Sequence, residues 1–411
     1  MNPKVNLLCG NNLDVLKTLP DNSVHTVVTS PPYYGLRQYL EDDAEGKEFE
    51  IGLEESPLDY VSNLVAVFSE VKRVLRDEGS LWLNLGDSYW ANRSENGQSY
   101  DDDEVQRKRA GGKSNLFKPK DLMGMPWRVA FAMQEDGWYL RSDIIWSKSN
   151  CMPESVKDRP TRSHEYIFLL TKKPIYFYDI DAIREPLADS TLPRMMRGVS
   201  DNHKWLDGAD GQSAHTMSQP RPNINKLVAG RTDVKMLDTG YGGDGKGLHA
   251  LHSGYYDNDG TPRFNSMGRN KRTVWQVNTV PFKEAHFAVF PEKLIEPCVM
   301  AGSSVAGVCP SCGAPYERVI EKIQLSNVSE NEWDCVTKTT GWKAICECEA
   351  GAPIPATVLD PFCGSGTAGV VAVKNGRSFI GIDLNKEYIK MAHRRINKAS
   401  SQPMLDGFLL A

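Results

Sequence analysis

Three short stretches of the chain carry residues whose types and spacing suit chemistry. Ser30-Pro31-Pro32-Tyr33 sets a hydroxyl and an aromatic ring around two prolines. Gly364-Ser365-Gly366-Thr367-Ala368-Gly369 has the form G-x-G-x-x-G. Cys309-x-x-Cys312 and Cys346-x-Cys348 are two tight thiol pairs separated by 33 residues. Successive prolines fix φ and lack N–H groups, so the first stretch ends a strand and aims the Pro31 carbonyl before any ligand arrives. With the Ser30 hydroxyl it offers two acceptors, and Tyr33 adds a flat face. In the second stretch, glycines let backbone approach a ligand. Asp383, ending the next strand, suits ribose hydroxyls. Four thiolates suit a closed, tetrahedral and therefore structural zinc site. Cys335 between the pairs is an alternative ligand, and free-thiol and redox readings compete.

These residues need elements to position them. Val5–Cys9 and Val24–Thr29 read as short buried strands around a helical turn at Leu13–Leu19. Val61, Leu64, Val65, Phe68, Val71 and Leu75 have helical spacing, with Gly79 as the stop. SLWLNLGDSYW reads as another buried strand, and EYIFLLTKKPIYFYD as a hairpin. ATVLDPFCGSGTAGVVAVKNGRSFIGIDLNKEYIKMAHRRI reads strand, glycine turn, helix, strand, acidic residue, helix. Strands alternating with helices predict an α/β fold with a doubly wound, mostly parallel sheet. The glycine loop passes its context test, with a strand before it and a helix after it, and implies an adenosine-bearing cofactor. Asp360, just ahead of the loop, is ill-placed for a pyrophosphate and well placed for an ammonium, which favours S-adenosylmethionine over a dinucleotide.

The bulk numbers exclude little. The 411 residues carry a net charge of −5, with 40% apolar and 25% charged residues, so any polyanion partner must be argued locally. From 190 to 280 there are 12 Lys+Arg against 8 Asp+Glu, a modest basic lean that a solvated insert would also explain. No run of apolar residues is long enough to span a membrane. Without a signal-like N-terminus, the expected compartment is the cytoplasm.

Ser30-Pro31-Pro32-Tyr33, with DPFCGSGT and GID, resembles the SPPY-type amino-methyltransferases of DNA. The order, catalytic motif first and cofactor loop last, resembles their permuted β-class, the N4-cytosine-specific branch in particular. HFAVFP is similar to the family's remaining cofactor segment. The resemblance implies a Rossmann-like core and S-adenosylmethionine as cofactor. It places Ser30, Pro31, Pro32 and Tyr33 at a flipped base, and Asp360, Phe362, Gly364, Ser365, Gly366, Thr367 and Asp383 at the cofactor. Family members often carry an early acidic residue near the adenine; Asn11 stands there here. Double-stranded DNA is the implied partner, and a cognate restriction endonuclease fits beside it. Ser30, where Asp is commoner, favours cytosine N4 over the alternative, adenine N6.

The expected organisation is a core in pieces, 1–185 with 276–305 and 352–400. A target-recognition insert occupies 186–275, and a zinc-ribbon-like insertion, with Cys309, Cys312, Cys346 and Cys348 as ligands, occupies 306–351. Rival readings are a nicotinamide dehydrogenase, which gives Ser30–Tyr33 no task, and a non-catalytic zinc-containing DNA-binding protein. Carbon-5 cytosine chemistry needs a thiolate in a Pro-Cys turn; Pro297-Cys298 reads instead as helix, with a core cysteine.

Overall fold

The computed structural model describes residues 2–90, 116–186, 267–280, 289–324, 335–349 and 351–401. The insert expected at 186–275 lies mostly outside them, as do His286–Ala288 of HFAVFP. By contact the chain divides into two units, Met1–Ile183 with Arg272–Arg318 and Trp342–Ala411, and Arg184–Lys271 with Val319–Gly341. All four expected zinc ligands fall in the first unit. In the second unit, Arg269 and Lys271 pair with Glu185.

The first unit is built on one sheet. Its strands are β1 (Val5–Cys9), β2 (Val24–Thr29), β3 (Leu75–Leu85), β4 (Tyr139–Ser147), β5 (His164–Thr171), β6 (Val274–Gln276), β9 (Thr357–Asp360) and β10 (Ser378–Asp383). They lie in the order β1-β10-β9-β2-β3-β5-β4-β6. The first five are mutually parallel, while β5 runs antiparallel to both β3 and β4. The chain leaves β9 towards β10 on one side and β2 towards β3 on the other, so the strand order reverses between β9 and β2. Open α/β sheets bind ligands at the carboxyl end of such a point.

Helices cover both faces. They are α1 (Asn12–Lys17), α2 (Pro57–Val74), α3 (Met125–Glu135), α4 (Glu292–Gly302), α5 (Thr367–Lys374) and α6 (Lys386–Ser400). Ser56 caps α2, accepting from the Leu58 amide ahead of Pro57 in the first turn, a strong start signal. Its Tyr60, Leu64, Phe68 and Val71 pack with α3, Leu81 and Leu83 in one core. Val28, Trp82, α4 and α5 build the other. Cys298 is fully buried in α4, as expected of a core cysteine. No described helix is long and apolar enough to cross a membrane.

Two local expectations are corrected. Helix α2 stops at Val74, and Gly79 lies inside β3. The register jumps there from Val24–Leu75 to Thr26–Ser80, and a side chain at Gly79 would meet Leu75 and the His25 carbonyl. The run from Glu165 to Asp179 is not a hairpin: only β5 forms, and its antiparallel neighbour β4 precedes it. Pro174 denies the return its ladder; the Phe177 amide bonds the Glu78 carbonyl and Tyr178 stacks on Trp82.

Gly369 sits where α5 meets the sheet and α6. A methyl group there would lie 2.4 Å from Ile396 Cδ1 and 2.7 Å from Phe379. Gly369→Ala is expected to lower unfolding free energy by about 1–3 kcal/mol through overpacking, measured by urea denaturation.

Candidate active site and thiol cluster

Strands β2 and β9 end beside each other, and both run into loops that line one cavity of about 840 Å³. Ser30, Pro31, Pro32 and Tyr33 enter from β2; Phe362, Gly364, Ser365 and Thr367 follow β9; Asp383 ends β10. Residues more than 300 positions apart in the chain thus share one wall. The proline ledge is fixed from below, where the Tyr60 hydroxyl donates to the Pro32 carbonyl at 2.8 Å. Tyr34, next in sequence, turns into the core against Tyr60.

The glycine loop is held from two sides. Gly364 has φ +51°, and its N–H donates to Asp383 Oδ2 at 2.7 Å, while the Asn385 N–H donates to Oδ1 at 2.8 Å. Burial pushes the Asp383 carboxyl up to about 6, against these two amides, which favour its charge. From α6, Arg395 reaches the Ser365 carbonyl and hydroxyl, both at 2.7 Å, and Thr367 Oγ1 at 3.0 Å. Cys363 is buried within the loop and also borders the cavity.

Three residues expected at the cofactor do not line this cavity. Asp360 is 1% exposed; it accepts from Thr29 Oγ1 at 2.6 Å and from the Phe362 amide at 3.1 Å. Burial raises its pKa to about 7. The carboxylate therefore ties two strands together and shapes the turn, and the charge argument drawn from it loses its footing. Gly366, at φ +80°, caps the start of α5, and a side chain there would strike Ala392 of α6 at 2.7 Å. Asn11 caps α1, accepting from the Leu13 amide and donating to Asp14; its neighbour Asn12 faces the cavity and donates to the Pro361 carbonyl at 3.3 Å.

Other cavity residues carried no local signal. Asn84 ends β3, Lys148 follows β4, and Glu165 lies near the start of β5; all reach the Ser30–Tyr33 side. Lys148 and Glu165 form an ion pair largely shielded from solvent, at 18% and 14% side-chain exposure. Such residues occur as unremarkable polar positions at strand ends. Only the antiparallel register of β4 and β5, which sets Ser147 opposite His164, brings them together.

The thiols of Cys309, Cys312, Cys346 and Cys348 lie within 4.8 Å of one another. Backbone N–H groups of the knuckle, that of Cys312 first, lower the Cys309 pKa to about 6. In sequence, the two pairs flank the ribbon of β7 (Tyr316–Gln324) and β8 (Cys335–Ala344); the Cys335 side chain lies outside the described residues. The knuckle rests on the opposite end of the sheet from the cavity. Half-buried His25, near the start of β2, donates through Nε2 to the Gly313 carbonyl at 3.1 Å and accepts through Nδ1 from Thr357, the first residue of β9, at 3.0 Å. Burial pulls its pKa down to about 4, which keeps the ring neutral with one donor and one acceptor.

A cavity at the reversal point of a doubly wound sheet, with a proline ledge facing a glycine loop, lies where sheets of the Rossmann-like kind bind their ligands. Comparison with known proteins makes the class specific. The family model N6_N4_Mtase, DNA methylase, matches residues 24–309 and 350–394. The type II methyltransferase M.Cfr9I of Citrobacter freundii is 36% identical over 390 residues, covering 94% of this chain and 86% of the relative. M.SmaI of Serratia marcescens, also a type II methyltransferase, is 34% identical over 395 residues, covering 95% and 90%. Among solved structures, the PvuII DNA methyltransferase (cytosine-N4-specific) aligns over 100% of this chain and 91% of its own, at 14% identity and a TM-score of 0.48. The chain belongs to the DNA methylase family and is a DNA methyltransferase of its N4/N6 amino group.

Proposed function

We propose that this enzyme methylates the N4 amino nitrogen of cytosine in double-stranded DNA, using S-adenosylmethionine. The observation that carries the reading is the meeting of the Ser30–Tyr33 ledge with Gly364 and Asp383 in one cavity. The cofactor fits the groups present. Asp383 accepts from ribose hydroxyls, Phe362 and Tyr388 offer apolar walls to a purine, and the bare backbone of Gly364 permits close approach. When bound, it supplies an electrophilic methyl group on a sulfonium.

The chain's own residues then prepare the nucleophile. An exocyclic amino nitrogen is weak because its lone pair is delocalised into the ring. Ser30 Oγ and the Pro31 carbonyl accept its two hydrogens and favour a more pyramidal nitrogen, at positions fixed beforehand by the prolines. The Tyr33 ring gives the flipped base a face to stack on. Serine at the head of the motif supports cytosine over adenine. The type II methyltransferase names of the relatives support a cognate restriction endonuclease as the biological counterpart, and residues 186–275 are the segment we assign to target recognition.

Incubation of the protein with S-adenosylmethionine and unmodified genomic DNA, followed by nucleoside mass spectrometry, tests the reading. The expected product is N4-methylcytosine, lost in Ser30→Ala. N6-methyladenine would overturn the base assignment and keep the mechanism.

Asp383 predicts the pH dependence of cofactor binding. Ribose hydroxyls favour the ionised carboxylate, which prevails above about pH 6 and is lost below it. Affinity is therefore expected to fall about tenfold from pH 7 to pH 5, by titration calorimetry. Asp383→Asn should bind weakly at both pH values.

The four thiols are proposed to hold one zinc ion in a closed site without an open position. The His25 contacts support a bracing role beneath β2 and β9. Metal analysis should find one zinc per chain, and Cys346→Ser should lose it and melt at lower temperature. Metal-free protein of undiminished stability would refute the site.

A further inference from the structure

Tyr33 carries a hydroxyl that a stacking face does not need. It sits among three polar groups: Glu165 Oε2 at 2.7 Å, Asn84 Oδ1 at 3.2 Å and Ser30 Oγ at 3.4 Å. A phenol has one hydrogen to donate. Glu165, paired with Lys148, is a carboxylate and only accepts. Asn84 directs its amide nitrogen to the Tyr166 carbonyl at 3.0 Å, which leaves its oxygen towards the phenol. Both neighbours therefore draw the phenol hydrogen to their side. The phenol oxygen is left to accept, and the group in reach is the Ser30 hydroxyl.

We propose that Glu165 is a positioning residue that sets the polarity of Ser30: acting through Tyr33, it draws the serine hydroxyl hydrogen away from the target base and leaves Oγ lone pairs facing the amino group. The proposal rests on the role given to Ser30 above. A serine hydroxyl is otherwise ambiguous, able to donate as readily as accept. Turned the other way, it would donate to the amino nitrogen and tie up the lone pair that must attack. Burial, and then the Glu165 charge, raise the Tyr33 pKa well above its ordinary value, so the relay keeps its hydrogen. The ring is also seated: a side chain at Gly86 would lie 2.5 Å from Tyr33 Cε2, so bare backbone lets the ring settle where its hydroxyl meets all three partners.

Glu165→Gln keeps the size and the hydrogen-bonding reach but adds a donor, which abolishes the one-way polarity. With full-length protein, S-adenosylmethionine and DNA, kcat is expected to fall about 10- to 100-fold, below the roughly 100- to 1000-fold of losing an oriented group in direct contact, because Glu165 acts through Tyr33. The KM for DNA, the cofactor affinity and the melting temperature should stay near wild type. Tyr33→Phe should lower kcat similarly, and adding Glu165→Gln to it should cost nothing more, because the two act in series. Wild-type kcat in Glu165→Gln overturns the proposal, as does an equal loss with and without Tyr33→Phe. Should Glu165→Gln fail to fold, Tyr33→Phe decides: a lower kcat at unchanged KM for DNA and unchanged cofactor affinity supports the relay, and wild-type kcat overturns it. Full activity of Ser30→Ala would remove the proposed function and the relay together. Full activity of Glu165→Gln beside an inactive Ser30→Ala removes the relay alone.

Discussion

The pairing of β2 with β9 is the contact on which the rest of this enzyme depends. Thr26 and Val27 lie in parallel register with Val358 and Leu359, and at the carboxyl end Thr29 donates to Asp360 across the same seam. At the amino end His25 bridges the seam to the cysteine knuckle. The seam brings a strand that delivers a proline ledge beside a strand that delivers a glycine loop, which is why one cavity serves both. Loss of the pairing would leave two half-sites.

The seam also explains why a carboxylate is tolerated where it is poorly solvated. Asp360 accepts from a side chain of one strand and from the backbone of the turn that follows its own. A buried polar group so placed costs little only while both partners remain. It acts as a joint, and the charge that faces the cavity belongs to Asp383. The two carboxylates are thus separated in function by the direction each faces, a distinction that spacing within the loop does not reveal.

Much of this was legible in the chain itself. The alternation of apolar runs and helical spacing, the glycine loop with its flanking strand and helix, and Ser30–Tyr33 are local features, and local features survive in sequence. The end of α2 was misplaced because Gly79 looks like a helix stop while its actual task is to fit under the His25 carbonyl in a bulged strand. The expected hairpin does not form because Tyr178, after Pro174, stacks on Trp82 without pairing in the ladder. Asn11 turns its side chain to the cap of α1 while Asn12 beside it lines the cavity, a difference of one helical position. Glu165, Lys148 and Asn84 were invisible for a simpler reason: each is ordinary in its own segment, and their meeting is a property of strand register.

The same seam imposes an order of events on the growing chain. Thr29 and Asp360 are 331 residues apart, and β1 likewise waits for β10. At a synthesis rate of roughly 5–20 residues per second, the early strands emerge on the order of tens of seconds before their partners. During that interval β1 and β2 present open hydrogen-bonding edges, the kind of surface that invites wrong pairing. The permuted motif order thus makes the nascent chain hold its Ser30–Tyr33 corner unpaired until Asp360, 331 residues beyond Thr29, has emerged, a demand on the ribosome-bound state that the unpermuted order would place on other strands.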